Sequence, residues 1–202
     1  MFLLTRHLYK YITILILVIL FAIGFTSAHS IQSVDDLAYV VALGIDVGSN
    51  NNLKVSFQFT KPSSTSESGT SETVPTVIDS VEATSIDAAT NLMNTFISKE
   101  LNLSHCKVIV FSEEMARRGI EKEISSLVNK VQVRPDSNII ISTCSAEEYI
   151  KSVSPSLENL VAKFYEILPR SSEYTGFTAN LQLGEFFNQI VCNTCEPIAI
   201  LR

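Results

Sequence analysis

The sequence predicts an α/β (α+β) fold in which helices pack on a mixed β-sheet, preceded by one hydrophobic helix. Three observations lead to this prediction. The chain begins with a long uncharged apolar run, and it then alternates strand-like segments with segments whose apolar residues recur every three or four positions. Strands that alternate with helices form a sheet covered by helices, because each apolar helix face needs a partner layer.

The N-terminal segment, residues 1–30, has the pattern of an export signal or membrane anchor. Arg6 and Lys10 precede an uncharged stretch over residues 11–28. This length is at the lower limit for crossing about 30 Å of hydrocarbon, so we predict a transmembrane helix at about 11–28. Positive charge before the apolar run favours a short cytoplasmic N-terminus and translocation of the remainder.

The sequence does not decide whether this segment is cleaved or retained. Thr26-Ser27-Ala28 offers the small residues that a signal peptidase needs, whereas the length of the apolar run fits a retained anchor. A lipoprotein signal is excluded because the first cysteine of the chain is Cys106. We favour retention of the segment as the anchor.

The rest of the chain is acidic. It contains 13 basic side chains and all 21 Asp and Glu residues. Because this excess of negative charge repels phosphate backbones, we expect no nucleic-acid partner. No Gly-rich phosphate-binding motif occurs. Residues 31–202 are long enough for a single domain with its own core, which we expect on the extracytoplasmic side.

Strand-like segments dominate the first half of this domain. The apolar run Leu37–Leu43 predicts a buried strand, and the alternating segment Leu53–Thr60 predicts its half-buried hairpin partner. Residues 62–75 are mostly Ser, Thr, Glu and Gly, which predicts a flexible surface loop within the domain. Strand-like sequence resumes at Val77.

Helices and strands alternate in the second half. Ser85, Ser112, Ser145 and Ser154 precede predicted helices, where a serine side chain can cap the free N–H groups. Strands are predicted at 107–111, 138–144 and 198–202. The predicted apolar helix faces are Ile86, Ala89, Leu92, Met93, Phe96 and Ile97; Ile120, Ile124, Leu127, Val128 and Val131; Leu157, Leu160, Val161, Phe164, Tyr165 and Leu168; and Leu183, Phe186, Phe187, Ile190 and Val191.

The residues suited to catalysis are few. His105 is the sole histidine after residue 30, so a Ser-His-Asp or Cys-His site requires it. It precedes Cys106 at a strand start, where adjacent side chains point to opposite faces. The acidic pairs Glu113-Glu114 and Glu147-Glu148 are explained as helix-start charges. We therefore assign no catalytic, cofactor-binding or metal-ligating residues, expect no cofactor, and predict that the protein is not an enzyme.

The four cysteines, Cys106, Cys144, Cys192 and Cys195, allow three disulfide pairings. The first two lie in apolar strand-like runs, which favours burial. Cys192 and Cys195 have the C-x-x-C spacing of a redox dithiol or of half a zinc site. They follow a helical pattern instead of opening a helix, which argues against a redox centre.

Three segments, in order along the chain, carry a family resemblance. They are Val34–Asp46, Leu103–Ile120 with its Ser-His-x-Lys strand and Glu-Glu-x-Ala-x-x-Gly-Ile helix, and Val133–Ile141 with an Arg-containing turn. Together they resemble the Ger(x)C (GerAC-like) spore germination proteins, the C subunits of nutrient germinant receptors. The resemblance extends to about Leu168 and covers that family's N-terminal domain.

The resemblance implies a non-catalytic subunit outside the spore inner membrane, working with a permease-like B subunit and a membrane-bound A subunit. The chain departs from the family in two ways. It lacks the cysteine that carries the family's lipid anchor, and it is shorter than the usual member, which leads us to expect a truncated form. Attachment then depends on the apolar helix or on partner subunits.

These observations predict a membrane-associated receptor subunit that supports assembly and signalling in response to nutrients. An extracytoplasmic module that binds a small-molecule germinant is the alternative. A thiol oxidoreductase that uses Cys192 and Cys195 is a weaker alternative.

Overall fold

The chain divides into two compact units, residues 1–36 and 37–202. The computed structural model describes residues 10–21, 36–60, 76–176, 179–192 and 194–202. In the first unit it describes helix α1 (residues 10–21), whose side chains are exposed. Residues 22–28 of the predicted membrane span and the predicted loop at 62–75 lie outside the described residues. Within the ranges that are described, no helix combines the length and the apolar character that crossing a membrane requires.

A mixed seven-stranded sheet, as far as the described residues show it, forms the centre of the second unit. Its order is β3-β2-β1-β5-β6-β7, and the short strand β4 pairs with the start of β1. The pairs β1–β2 and β2–β3 are antiparallel, whereas β5 is parallel to β1 and the following strands are parallel to β5. The strands are β1 (Leu37–Val47), β2 (Leu53–Thr60), β3 (Thr76–Ala83), β4 (Glu100–Asn102), β5 (Val108–Ser112), β6 (Asn138–Ser142) and β7 (Ile200–Leu201).

Serine caps begin three of the helices, as the sequence predicts. The hydroxyl oxygens of Ser85, Ser112 and Ser145 accept backbone N–H bonds three residues on, at 3.1, 3.4 and 3.1 Å. The helices are α2 (Ile86–Phe96), α3 (Glu113–Arg118), α4 (Glu121–Asn129), α5 (Ala146–Ser152), α6 (Val161–Ile167), α7 (Ser171–Thr175) and α8 (Leu183–Val191). Short 3-10 helices lie at Ser49–Asn51 and Leu168–Arg170.

Helices cover both faces of the sheet, because the central strands bury alternate residues on each side. One core contains Leu43 of β1 and Ile109 of β5, packed with buried residues of α2, α3, α4 and α8. The other contains Ala42 and Val108, packed with residues of α5 and α6. This arrangement confirms the predicted fold class.

A glycine permits the close packing of α5 on β1. A Cβ atom added at Gly44 would lie 2.9 Å from Ile150 Cδ1 and 3.3 Å from Ala146 Cβ. A side chain at this position would require Ile150 Cδ1 to move and would crowd the Cβ atoms of Ala146 and Ser56, each at 3.3 Å.

The prediction that β2 is half-buried is wrong. Its polar residues Ser56 and Gln58 are only 0% and 1% exposed, because the second helical layer covers the face they occupy. Both side chains find polar partners there. The Ser56 and Ser80 hydroxyls lie 2.9 Å apart, and the Tyr165 hydroxyl donates to Gln58 Oε1 at 3.1 Å.

The predicted helix beginning at Ser154-Pro155 is also wrong in its start, since α6 begins at Val161. Leu157 is 95% exposed instead of buried on a helix face. No apolar layer covers Leu157, so a helix at this position would bury no apolar face to offset the entropy of ordering it. Five further residues of the predicted apolar helix faces are also exposed: Leu92, Phe96, Val131, Leu160 and Val191.

Candidate functional site

The three segments that carry the family resemblance meet at the centre of the sheet. They contain β1, β5 and β6, which are adjacent and parallel, so their carboxyl ends lie at one edge. Open α/β sheets bind ligands at this edge. A cleft of about 320 Å³, the carboxyl-edge cleft, opens there and is lined by Asp46, Val47, Lys54, Ser112, Glu113, Glu114, Thr143, Cys144 and Ser145.

A buried carboxylate, that of Asp46, connects the floor of the cleft to helix α5. Asp46 is 6% exposed, and its two carboxylate oxygens accept the backbone N–H groups of Ala146 at 2.7 Å and Glu147 at 3.1 Å. These are first-turn N–H groups that have no partner within the helix. Asp46 therefore fixes the position of α5 at the edge of the sheet.

A chain of three charges begins at Lys54, which lines the cleft, and continues onto α5. Glu147 pairs with Lys54 at 2.5 Å and with Lys151 at 2.6 Å. Hydrogen bonds from Lys151 and Lys54 lower the pKa of Glu147 from 4.5 to about 2. The bond to Glu147 in turn raises the pKa of Lys54. Both lysines are therefore held as partners of a carboxylate rather than as free nucleophiles.

The remaining cleft residues end strands and begin helices. The side chains of Ser112 and Ser145 cap α3 and α5, and the Cys144 sulfur lies 3.2 Å from the Ser142 hydroxyl. Among the described residues, no three or more His, Cys, Asp or Glu side chains are grouped so as to hold a metal ion. The cleft offers fixed charges and hydroxyls suited to recognition.

His105 and Cys106 point apart, as the sequence predicts. Cys106 is 2% exposed, its thiol donates to the Val108 carbonyl at 3.3 Å, and burial raises its pKa to about 12. His105 is exposed in the turn between β4 and β5, where its ring meets that of Tyr39 edge to face at 4.6 Å. The protonated Cys106 is therefore a poor nucleophile, and His105 is placed away from it.

Cys192 and Cys195 form a disulfide at the C-terminal end of α8. This pairing decides among the three that the sequence allows, and Cys106 and Cys144 are free. Cys106 is buried as predicted, whereas Cys144 is only partly buried. The partial positive charge that lowers the pKa of a thiol lies at the N-terminus of a helix, whereas this disulfide lies at the C-terminus of α8. The position therefore lacks the helix-start geometry of a redox dithiol.

A family comparison decides the identity of the domain. The sequence pattern described as "Spore germination protein N-terminal domain" matches residues 30–200. The chain belongs to this family. No solved structure matches the chain.

Two curated relatives from Bacillus subtilis (strain 168) agree with the membership in the germination family. "Spore germination protein KC" is 20% identical over 173 residues, which cover 83% of this chain and 42% of the relative. "Putative spore germination protein YfkR" is 25% identical over 142 residues, which cover 68% of this chain and 37% of the relative. The chain thus spans less than half the length of each of these relatives.

The sequence did not identify the roles of two cleft residues in this germination domain. Asp46 ends the first resembling segment, yet its carboxylate binds N–H groups 100 positions later in the chain. Lys54 is one of the polar residues of an alternating strand, and this sequence pattern does not predict its ion pair with Glu147. An Asp at the end of an apolar strand is a usable signal, because a carboxylate is stabilising at a helix N-terminus.

Proposed function

We propose that this chain is a membrane-associated, non-catalytic subunit of a spore germinant receptor that supports receptor assembly and signalling in response to nutrients. The family match over residues 30–200 is the observation on which the proposal rests. The domain would work on the extracytoplasmic face of the spore inner membrane, beside the A and B membrane subunits.

The carboxyl-edge cleft supports a recognition role for the domain. Its lysine and buried carboxylate are already engaged, Lys54 with Glu147 and Asp46 with the start of α5. Glu114 is exposed on the rim, in the first turn of α3. We propose that this acidic rim contacts a partner subunit, since the segments that resemble the family converge there.

Co-purification tests the receptor assignment. Spore membranes that contain the affinity-tagged full chain are solubilised, and the A and B subunits are quantified in the eluate. Enrichment of both subunits over untagged membranes is expected. Their absence from the eluate, with the tagged chain recovered intact, would contradict the proposal.

A charge-reversal pair tests the role of the rim. Glu114→Lys should lower the recovery of the partner subunits. Glu121→Lys is the matched control, because Glu121 is likewise an exposed acid in the first turn of a helix. Equal recovery with both variants would contradict the rim contact and leave the receptor assignment standing.

Membrane association is tested by fractionation. The full chain is expected in the pellet after an alkaline carbonate wash of the membranes. A variant with Leu15→Glu and Leu17→Glu in α1 should shift to the supernatant, because charged side chains are costly in hydrocarbon. An unshifted variant would show that attachment does not depend on the apolar segment.

A further inference from the structure

One edge of the sheet, the outer side of β3 (Thr76–Ala83), is open in the described part of the chain. We name it the β3 edge. β3 stands first in the sheet order and pairs with β2 on its other side. This antiparallel pairing covers the whole strand without a register shift. Many proteins shorten, bend or cover an edge strand, because its free backbone groups attract other chains. β3 is regular over its length, so it offers a continuous row of such groups.

The hydrogen-bond ladder determines which backbone groups of β3 point outwards. The Gly48 N–H donates to the Asn52 carbonyl at 2.8 Å in the turn between β1 and β2. Hydrogen-bonded and non-hydrogen-bonded pairs alternate along antiparallel strands, so the register through β2 assigns the backbone bonds of Asp79 to β2. The N–H and C=O groups of its neighbours, Ile78 and Ser80, therefore point away from the sheet.

Asp79 places a negative charge at the middle of this edge. Its side chain is exposed, and no basic side chain in the described ranges pairs with it. Val77 and Val81 flank it on the same face of the strand, because side chains two positions apart share a face. Both valines are half-buried. An incoming strand would therefore meet an acidic side chain between two apolar ones.

The opposite face of β3 has its polar side chains already engaged. The Ser80 hydroxyl lies 2.9 Å from the Ser56 hydroxyl, and the Glu82 carboxylate accepts the Ser49 N–H at 3.2 Å. Ile78 packs against the core on that face. Of the two acids on β3, Asp79 is therefore the one that is available to a partner.

The charge of Asp79 argues against a second copy of this chain as the partner. In an antiparallel pair of two β3 strands, the register that sets Val77 opposite Val81 also sets Asp79 opposite the same residue of the second copy. Like charges directly opposite each other destabilise a strand pair, whereas opposite charges stabilise it. On the outer side, Asp79 belongs to a non-hydrogen-bonded pair, in which facing side chains approach most closely. The edge therefore favours a basic side chain at this position.

We propose that the β3 edge binds an extended, basic segment of a partner protein by strand addition. The segment would lie antiparallel to β3 and bond to the backbone of Ile78 and Ser80. Its Lys or Arg would pair with Asp79, and apolar residues two positions to either side would cover Val77 and Val81. The proposal does not depend on the receptor assignment, because it concerns binding by the chain alone.

Titration of the purified full chain in detergent with a fluorescently labelled peptide tests the proposal. The probe is Thr-Val-Thr-Lys-Thr-Val-Thr, which sets a lysine between two valines on one face, and detergent alone is the blank. Fluorescence anisotropy should show saturable binding with a dissociation constant below about 1 mM. The same peptide with Glu in place of Lys should bind at least about fivefold more weakly. No saturable binding up to about 1 mM, or equal binding of the two peptides, would overturn the proposal.

A charge swap tests whether Asp79 recognises the peptide. Asp79→Lys should weaken binding of the Lys peptide at least about fivefold and make the Glu peptide the tighter ligand. Glu121→Lys is the matched control, since it changes the net charge of the chain equally at an exposed acid of α4, and it should keep the preference for the Lys peptide. An unchanged preference in Asp79→Lys would overturn the assignment of the edge.

A second pair of variants tests the backbone bonds. Ser80→Pro removes an outward N–H, and proline is tolerated at such positions of edge strands. Ser80→Ala is the matched control, because both variants lose the hydroxyl that meets Ser56 and only proline loses the N–H. Ser80→Pro should bind the Lys peptide more weakly than Ser80→Ala does, and equal binding would contradict strand addition. If circular dichroism shows that Ser80→Pro does not fold, the charge swap decides.

Discussion

The hydrogen bond between Tyr165 and Gln58 should have a measurable effect on stability, because both side chains are buried. Their exposed fractions are 0% and 1%, and the bond of 3.1 Å joins α6 to β2 across 107 positions of sequence. Tyr165→Phe removes the donor but leaves no large cavity, since a single oxygen is lost. The acceptor Gln58 Oε1 then stays buried without its donor, which costs about 1–3 kcal/mol of the free energy of unfolding.

A double-mutant cycle separates this bond from packing effects. Gln58→Met keeps the length of the side chain and removes the acceptor, so it should also destabilise the domain. The double variant should lose less than the sum of the two single variants, because neither partner is left unpaired.

The assay is urea unfolding of the full chain in detergent, followed by circular dichroism. An unchanged midpoint for Tyr165→Phe, or strictly additive losses in the double variant, would refute the reasoning.

Three further predictions concern the attachment of α5 to the sheet and are tested in the same unfolding assay. Asp46→Ala should destabilise the domain by about 1–2 kcal/mol, since it removes the partner of two N–H groups of α5, and Asp46→Asn should lose less; equal losses would contradict this. The folded-state pKa of Glu147 is about 2, below its usual 4.5, so its ion pairs stabilise the protein above about pH 4.5 and are lost as the pH falls towards 2. Glu147→Gln should therefore flatten the fall in stability between pH 5 and about pH 2, and identical pH profiles would count against this. Gly44→Ala should cost about 1–3 kcal/mol, because the new Cβ would lie 2.9 Å from Ile150 Cδ1 and 3.3 Å from the Cβ atoms of Ala146 and Ser56, so movement of Ile150 alone does not relieve the crowding; a neutral effect would contradict this.

The predicted and observed elements agree best where the signal is local. The caps at Ser85, Ser112 and Ser145 depend on a serine and on residues within one helical turn, so the sequence contains all that forms them. The hairpin of β1 and β2 follows from two adjacent apolar segments separated by a tight turn. Short-range hydrogen bonds and side-chain periodicity can be predicted from the sequence without knowing which other elements pack against the segment.

The wrong predictions share one physical cause. Gln58 on β2 and Leu157 before α6 have the opposite exposure to that expected from their polarity. Whether a side chain is buried depends on which layer packs above it, and that layer comes from a distant part of the chain. A polar residue is buried where a partner such as Tyr165 satisfies it, and an apolar residue stays exposed where no layer reaches it.

The candidate sites were less predictable than the fold. The sequence assigned no site residue, yet Asp46 and Lys54 meet residues about a hundred positions away to form the carboxyl-edge cleft. Likewise the choice of Cys192 and Cys195 as the disulfide required the structure, although their spacing had marked them as a pair.

The sequence by itself determined the family, the alternation of strands and helices and the acidic character of the domain, because these depend on composition and on patterns a few residues long. Only the tertiary structure decided the strand order, the burial of β2 on both faces, and the contacts of Asp46 and Lys54 with the first turn of α5. Those features come from contacts between residues far apart in sequence. Such contacts form only when whole layers of the fold pack together, and no local conformational preference specifies them.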